Sequence, residues 1–292
     1  MTGVSPARIE VRVVLSRLLG AVLRASLVVV AVATPSLILP GTTEEGAQMA
    51  MLVALTIGVF IAFEYGSACP ALIEFRDAPP FNRVRIVSLL VTLAGLSAMA
   101  GGGASGSGLG LMVQALGQLV GQGLDFPASP IRVFVDHLPA DAPPLLPLQL
   151  RAMAGFSVLV LGLALAVFGV ALRFGKWPNR DHAFNVWVNL PTFDPTKGGD
   201  VVTRLKRDAR VNLILGVCAA LMLPSVALAV ADYIGFAALV SPHKLVWGMA
   251  LWVFLALSLI MRGLAMGRIA GMIHDRRARL SATVFIETPL GV

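Results

Sequence analysis

Residues 64–85 read EYGSACPALIEFRDAPPFNRVR and place three carboxylates, three arginines and three prolines between two apolar runs. The carboxylates are Glu64, Glu74 and Asp77, and the arginines are Arg76, Arg83 and Arg85. Pro70, Pro79 and Pro80 deny the stretch a continuous helix, because proline lacks the N–H and restricts the residue before it. The stretch therefore reads as a short, bent polar junction between two helices that need an apolar surrounding.

Composition supplies that surrounding. Of the 292 residues, 57% are hydrophobic and 13% charged, with a mean hydropathy of +0.83. Soluble domains carry roughly a quarter charged residues, so a soluble fold is excluded. The net charge of +7 does not point to nucleic acid, since the basic residues sit in blocks beside apolar runs. There they set orientation and meet anionic lipid. The expected partners are the lipid bilayer and another membrane protein or a second copy of the chain.

Outward from the junction, apolar runs predict six spans at about 18–39, 49–64, 85–100, 152–172, 211–230 and 245–262. These form a single membrane domain, an all-α polytopic integral membrane helical bundle. Arg24 interrupts the first span near its start, where its long stem can reach back to the interface. Ala31 and Ala33 also form a small-x-small site after Leu27–Val30, but the long basic leader and short apolar part favour an uncleaved span. Counting Arg24 and Arg262 as snorkelling span ends, the segments before span one, between two and three, between four and five, and after six hold twenty of the 23 Lys and Arg residues. That asymmetry places both termini in the cytoplasm. High alanine, arginine and glycine content points to a bacterial inner membrane.

The connecting segments carry further expectations. GGGASGSG, 101–108, reads as a hinge or loop. In 109–124, Gln114, Gln118 and Gln122 recur every four residues opposite an apolar side, which predicts an amphipathic extracytoplasmic helix, lying at the surface rather than re-entrant. The longest polar region, 173–210, forms a cytoplasmic cap with 263–292. Within it, 183–190 (AFNVWVNL) alternates as a strand does, and 282–288 (ATVFIET) is β-branched. The two are expected to pair as a small cytoplasmic β-ribbon. Asp200 is the expected N-cap of the helix that becomes span five.

Candidate sites follow from residue types. Within the junction, Glu64 and Glu74 are the carboxylates that a broken helix at membrane depth uses to bind a cation or relay a proton. The competing account, which we favour, is that Glu64, Glu74, Arg76, Asp77, Arg83 and Arg85 pair among themselves and fix a loop. Small residues on one stripe let helices approach closely, which assigns Gly155, Gly162 and Gly169 on span four and Gly263, Gly267 and Gly271 on span six to helix packing. Trp177, Phe184, Trp187 and Phe193 read as an exposed interfacial anchor or docking surface. Cys69 and Cys218 are read as packing residues. The histidines lack a zinc spacing, and no Walker A loop or GxSxG occurs, so no metal, cofactor or catalytic set is expected.

These readings favour a non-enzymatic accessory or scaffold protein packing against a membrane partner. The alternatives are a small permease using the 64–85 junction and a membrane enzyme acting on lipid. A permease requires a polar path to the centre of the bundle.

Overall fold

The computed structural model describes residues 6–67, 71–105, 108–138, 143–175, 177–178, 185–194, 196–234 and 241–287. Among them the regular structure is entirely helical: α1 (Pro6–Ile38), α2 (Glu44–Gly66), α3 (Phe81–Ser105), α4 (Gly108–Gly123), α5 (Pro130–Asp136), α6 (Leu146–Phe174), α7 (Val186–Asn189), α8 (Val201–Ile234) and α9 (Pro242–Glu287). Six of these, α1, α2, α3, α6, α8 and α9, are long and apolar enough to cross a membrane. Each falls on one of the six expected spans.

Side-chain burial separates inner from outer helices. α3, α6 and α9 pack on one another, with Leu93, Leu96, Met153, Phe168, Leu257 and Met261 fully or almost fully buried between elements. α8 lies along α9, and α1 lies along both α2 and α3. Only 11% of the α2 span and 17% of the α8 span is buried, against 44% for α1, α3 and α9. Both outer helices therefore present most of their circumference to a surrounding that has to be apolar.

Helix ends follow local chemistry. Thr43 caps α2 by accepting the Gly46 N–H, and Glu44 and Glu45 in the first turn complement the helix dipole. Asp200 caps α8 as expected, accepting the Thr203 N–H at 2.9 Å. α9 has 46 residues and is about 69 Å long at 1.5 Å per residue, well beyond the roughly 30 Å of a hydrocarbon core.

Two expectations about connecting segments are corrected. The glycine-rich segment is not a loop from residue 101, because α3 continues to Ser105. A Cβ on Gly101 would lie 3.3 Å from the Ile38 carbonyl oxygen, so glycine there permits the end of α1 to approach. Among the described residues no β-ribbon forms either. Residues 186–189 form the helical turn α7, begun by Asn185, whose carbonyl accepts from the Asn189 N–H and side chain. Residues 282–287 continue α9, where each added residue gains a hydrogen bond on an existing helix while an isolated strand pair has no support. Residues 183, 184 and 288 lie outside the described residues.

The amphipathic helix forms as α4, with its faces assigned differently. Its buried positions are Gly110, Val113, Gly117 and Gly121, and Gln114 and Gln118 are half-buried. Leu109, Leu111, Met112, Leu116 and Leu119 are exposed. Gln114 and Gln118 turn toward the protein while Gln122 is exposed, and the leucine side turns out.

Candidate functional site

The junction is built on the last turn of α2. Glu64 is 3% exposed, and its carboxylate accepts the backbone N–H groups of Ala71 (3.2 Å), Leu72 (3.1 Å) and Ile73 (3.2 Å). A chain that turns back after a helix has N–H groups without partners, and the carboxylate supplies them at a place where water is excluded. Arg76 closes the same turn from the other side. Its Nη1 donates to the carbonyl oxygens of Glu64 (3.1 Å) and Ser67 (2.6 Å), a cation at the negative end of the α2 dipole. Asp77, mostly exposed, accepts from Arg76 Nε at 3.2 Å.

Glu74 makes the long-range connection. Arg262 of α9 donates to it twice, from Nε at 2.6 Å and Nη2 at 2.8 Å, in the fork geometry that suits guanidinium and carboxylate. Thr192 donates its hydroxyl to the same carboxylate. The remaining arm of Arg262 donates to the Asn212 side-chain oxygen of α8 at 3.0 Å. One ion pair thus joins the junction, the segment before α8, α8 itself and α9.

An aromatic cluster lies under this polar layer. Phe75 is fully buried, with its ring 4.4 Å from Phe81 and 5.9 Å from Trp177, and Phe168 packs edge-on against Phe81 and Trp177. Phe75 has a φ of +53°, a left-handed conformation that costs about 1–3 kcal/mol in a residue with a bulky side chain. Its surroundings impose it: the Phe75 N–H donates to the Asn189 carbonyl at 2.7 Å, and the Asn189 side chain accepts the Asp77 N–H at 3.1 Å. Trp177 donates its indole N–H to Ala78 O at 3.0 Å.

Arg85 stands apart. It projects from the first turn and a half of α3 and donates to the side-chain oxygens of Ser258 (3.0 Å) and Asn82 (3.3 Å), with the Phe81 and Phe254 rings 5.5 and 5.2 Å from its guanidinium carbon. Elsewhere α3, α6 and α9 line a partly open pocket of about 10 Å³, room for about one water. Six apolar side chains line it beside Ser88 and Thr92, whose hydroxyls donate to carbonyls of their own helix. Arg83 is exposed.

The expectation that the six junction residues pair among themselves is corrected: only Arg76 and Asp77 do, while Glu64 takes backbone N–H groups, Glu74 takes Arg262, Arg85 stands apart on Ser258 and Asn82, and Arg83 is on the surface. The glycine assignments divide. A Cβ on Gly155 would lie 2.2 Å from Gly117 O, so α4 and α6 touch backbone to backbone there. Gly263 meets Ala209 O and Leu213 of α8 at 2.7 Å, and Gly267 meets the Ala209 Cβ at 3.8 Å. Gly162, Gly169 and Gly271 have nothing within 4 Å of such a Cβ.

The expectation of an exposed aromatic surface is corrected. Trp177 and Phe193 are each 5% exposed, the first in the Phe75 cluster and the second beneath Arg204, whose guanidinium carbon lies 4.7 Å from the ring. Phe184 and the Trp187 side chain lie outside the described residues. Arg262, Thr192, Asn189, Asn212 and Tyr65 had not been singled out. Two signals were present: an arginine inside the apolar run LIMRGLAMG and an asparagine inside VNLILG each need a polar partner. Neither says which partner, because that depends on how helices pack.

No protein-family model matches this chain, and neither a curated protein nor a solved structure shows significant similarity to it.

Proposed function

We propose that this chain is a non-enzymatic, multi-pass protein of a bacterial inner membrane, acting as an accessory or scaffold that packs against a membrane partner. The observation that carries the reading is the closure of the junction. Glu64 is engaged by three backbone N–H groups and Glu74 by Arg262 and Thr192, so the two carboxylates best suited to a cation or proton serve the fold instead. The face of α6 that carries Gly162, Ala166 and Gly169 is open, and small residues are what a neighbouring helix needs for close approach. The pocket between α3, α6 and α9 does not supply the polar path a permease needs.

In this reading the end bearing Arg76, Arg83, Arg204 and Arg262 faces the cytoplasm together with both termini, following the excess of bases there. The segment 173–210 and the end of α9 form the cap on that side, and α4 lies on the opposite side with its leucine face in the acyl boundary.

The test is affinity purification of the tagged chain in mild detergent, with Glu64→Gln, Glu74→Gln and Gly162→Leu in parallel. A stoichiometric partner, or a second copy, held by the two carboxylate variants and lost from Gly162→Leu supports the reading. A chain that emerges monomeric, with a transport activity abolished in Glu64→Gln or Glu74→Gln, overturns it in favour of a permease.

A further inference from the structure

Pro224 lies inside α8, within the apolar part of that helix. Proline has no N–H, so the Ala220 carbonyl, four residues earlier, loses its partner in the helical ladder. α9 supplies a substitute: Trp252 donates its indole N–H to Ala220 O at 3.0 Å. Trp252 is buried, and Phe134 of α5 packs edge-on against it with the ring centres 5.5 Å apart. α5 itself packs against α6 and α8. One chain of contacts therefore runs from α5 through the indole to the point where the α8 ladder is broken.

The two parts of α8 are held differently. On the junction side of Pro224, a Cβ on Gly216 would lie 2.6 Å from the Ile260 side chain and 2.9 Å from its backbone nitrogen. Gly263 likewise meets Ala209 O, so α8 and α9 touch there at backbone distance, and Arg262 adds its bond to Asn212. Beyond Pro224 the grip is lost: among residues 225–230 and 233, Leu228 alone is buried. In the membrane reading, hydrocarbon offers Ala220 O no donor other than a protein group. α1 also contains a proline, but Pro35 lies three residues from the helix end and leaves no arm beyond it.

We propose that α8 is a hinged helix: Pro224 is the pivot, the Trp252 indole is a releasable latch, and the arm 225–234 moves relative to α9 while the clamped part stays in place. A proline kink closed by one substitute hydrogen bond has two discrete arrangements, bonded and open, which is what a switching element requires. Phe134 positions the indole, so a displacement of α5 releases the arm. The hinge rests on the membrane reading and is independent of the scaffold reading, since it asks nothing of Gly162 or of a protein partner.

The experiment is amide hydrogen exchange of the purified full chain in mild detergent, read by mass spectrometry on peptides covering 205–219 and 225–234. In wild type the second set is expected to exchange faster than the first. Trp252→Phe removes the latch and is expected to speed exchange in 225–234 about tenfold, with 205–219 unchanged within about twofold. Pro224→Ala returns an N–H to Ala220 O and should slow the arm; in that background Trp252→Phe should alter its exchange less than about twofold. Phe134→Leu keeps the indole donor but removes the ring contact, and should give a smaller acceleration in the same residues. No acceleration in Trp252→Phe, an equal acceleration of both sets, or the same acceleration with and without Pro224 overturns the hinge. An arm unchanged by Phe134→Leu overturns the part assigned to α5. Pro224→Ala alone decides the matter should Trp252→Phe fail to fold, since an arm no slower than in wild type overturns the pivot.

Discussion

Arg262 and Glu74 lie 188 positions apart in the chain and meet through two N–H donors at 2.6 and 2.8 Å. Their side chains are 29% and 11% exposed, so the pair is largely withdrawn from solvent. Such a pair is informative about folding because removing one partner leaves the other buried and uncompensated. It also explains why the densest charge in the chain sits between two apolar helices: the junction is held from outside itself.

Glu64→Gln keeps one acceptor oxygen but turns an NH2 group toward the N–H donors of Ala71, Leu72 and Ile73. The expected loss of stability is about 1–3 kcal/mol. Limited trypsin digestion in detergent should show faster cleavage after Arg76, whose guanidinium caps the same turn. Unchanged cleavage and an unchanged unfolding midpoint would show that the loop is held elsewhere.

Gly155→Ala and Gly162→Ala separate packing glycines from open ones. The first places a methyl group 2.2 Å from Gly117 O and should destabilise the chain by about 1–3 kcal/mol, since backbone on both sides has to move. The second meets nothing within 4 Å and should stabilise α6 by up to about 1 kcal/mol through helix propensity. Thermal scans of the two variants in one detergent are the check.

Trp177→Phe removes the indole donor from Ala78 O while keeping an aromatic ring in the Phe75 cluster. A buried carbonyl left without its partner costs about 1–3 kcal/mol. The unfolding midpoint should therefore fall with partner binding retained. The opposite pattern, intact stability with lost binding, would restore the docking role that the sequence led us to expect.

Asp200 is predicted to make the cap of α8 sensitive to acid. Its carboxyl is held well below the usual range, first by the Arg277 guanidinium and then by the Thr203 N–H. Because the folded value is depressed, the contribution is complete above the unfolded carboxylate pKa of roughly 4 and is lost as pH falls toward the folded value. Asp200→Asn should lower stability near neutral pH and remove part of the decline seen on acidification to about pH 3. An unaltered acid limb in that variant would contradict the assignment.

Much of the architecture was legible because it rests on one-dimensional signals. Runs of apolar residues give the six helices directly, and the Asp200 cap follows from residue type beside such a run. The β-ribbon failed because alternation over eight residues is a weak signal beside an established helix, which 282–287 extends. The aromatic surface failed for a different reason. Trp177 resembles an interfacial anchor until Phe75 and Phe168, from the junction and α6, are placed around it. The charged junction was recognisable as a unit, but its decisive partner, Arg262, becomes visible only once α9 packs beside it.

The most direct test of this account is a double-mutant cycle on Glu74→Gln and Arg262→Gln, read as unfolding free energy in mild detergent. Each single substitution is expected to cost about 3 kcal/mol, the range for breaking a buried pair, with a coupling of at least about 1 kcal/mol between the sites. Single variants as stable as wild type, or fully additive losses, would show that the junction is not clasped by this pair and would return Glu74 to the list of residues free to do chemistry.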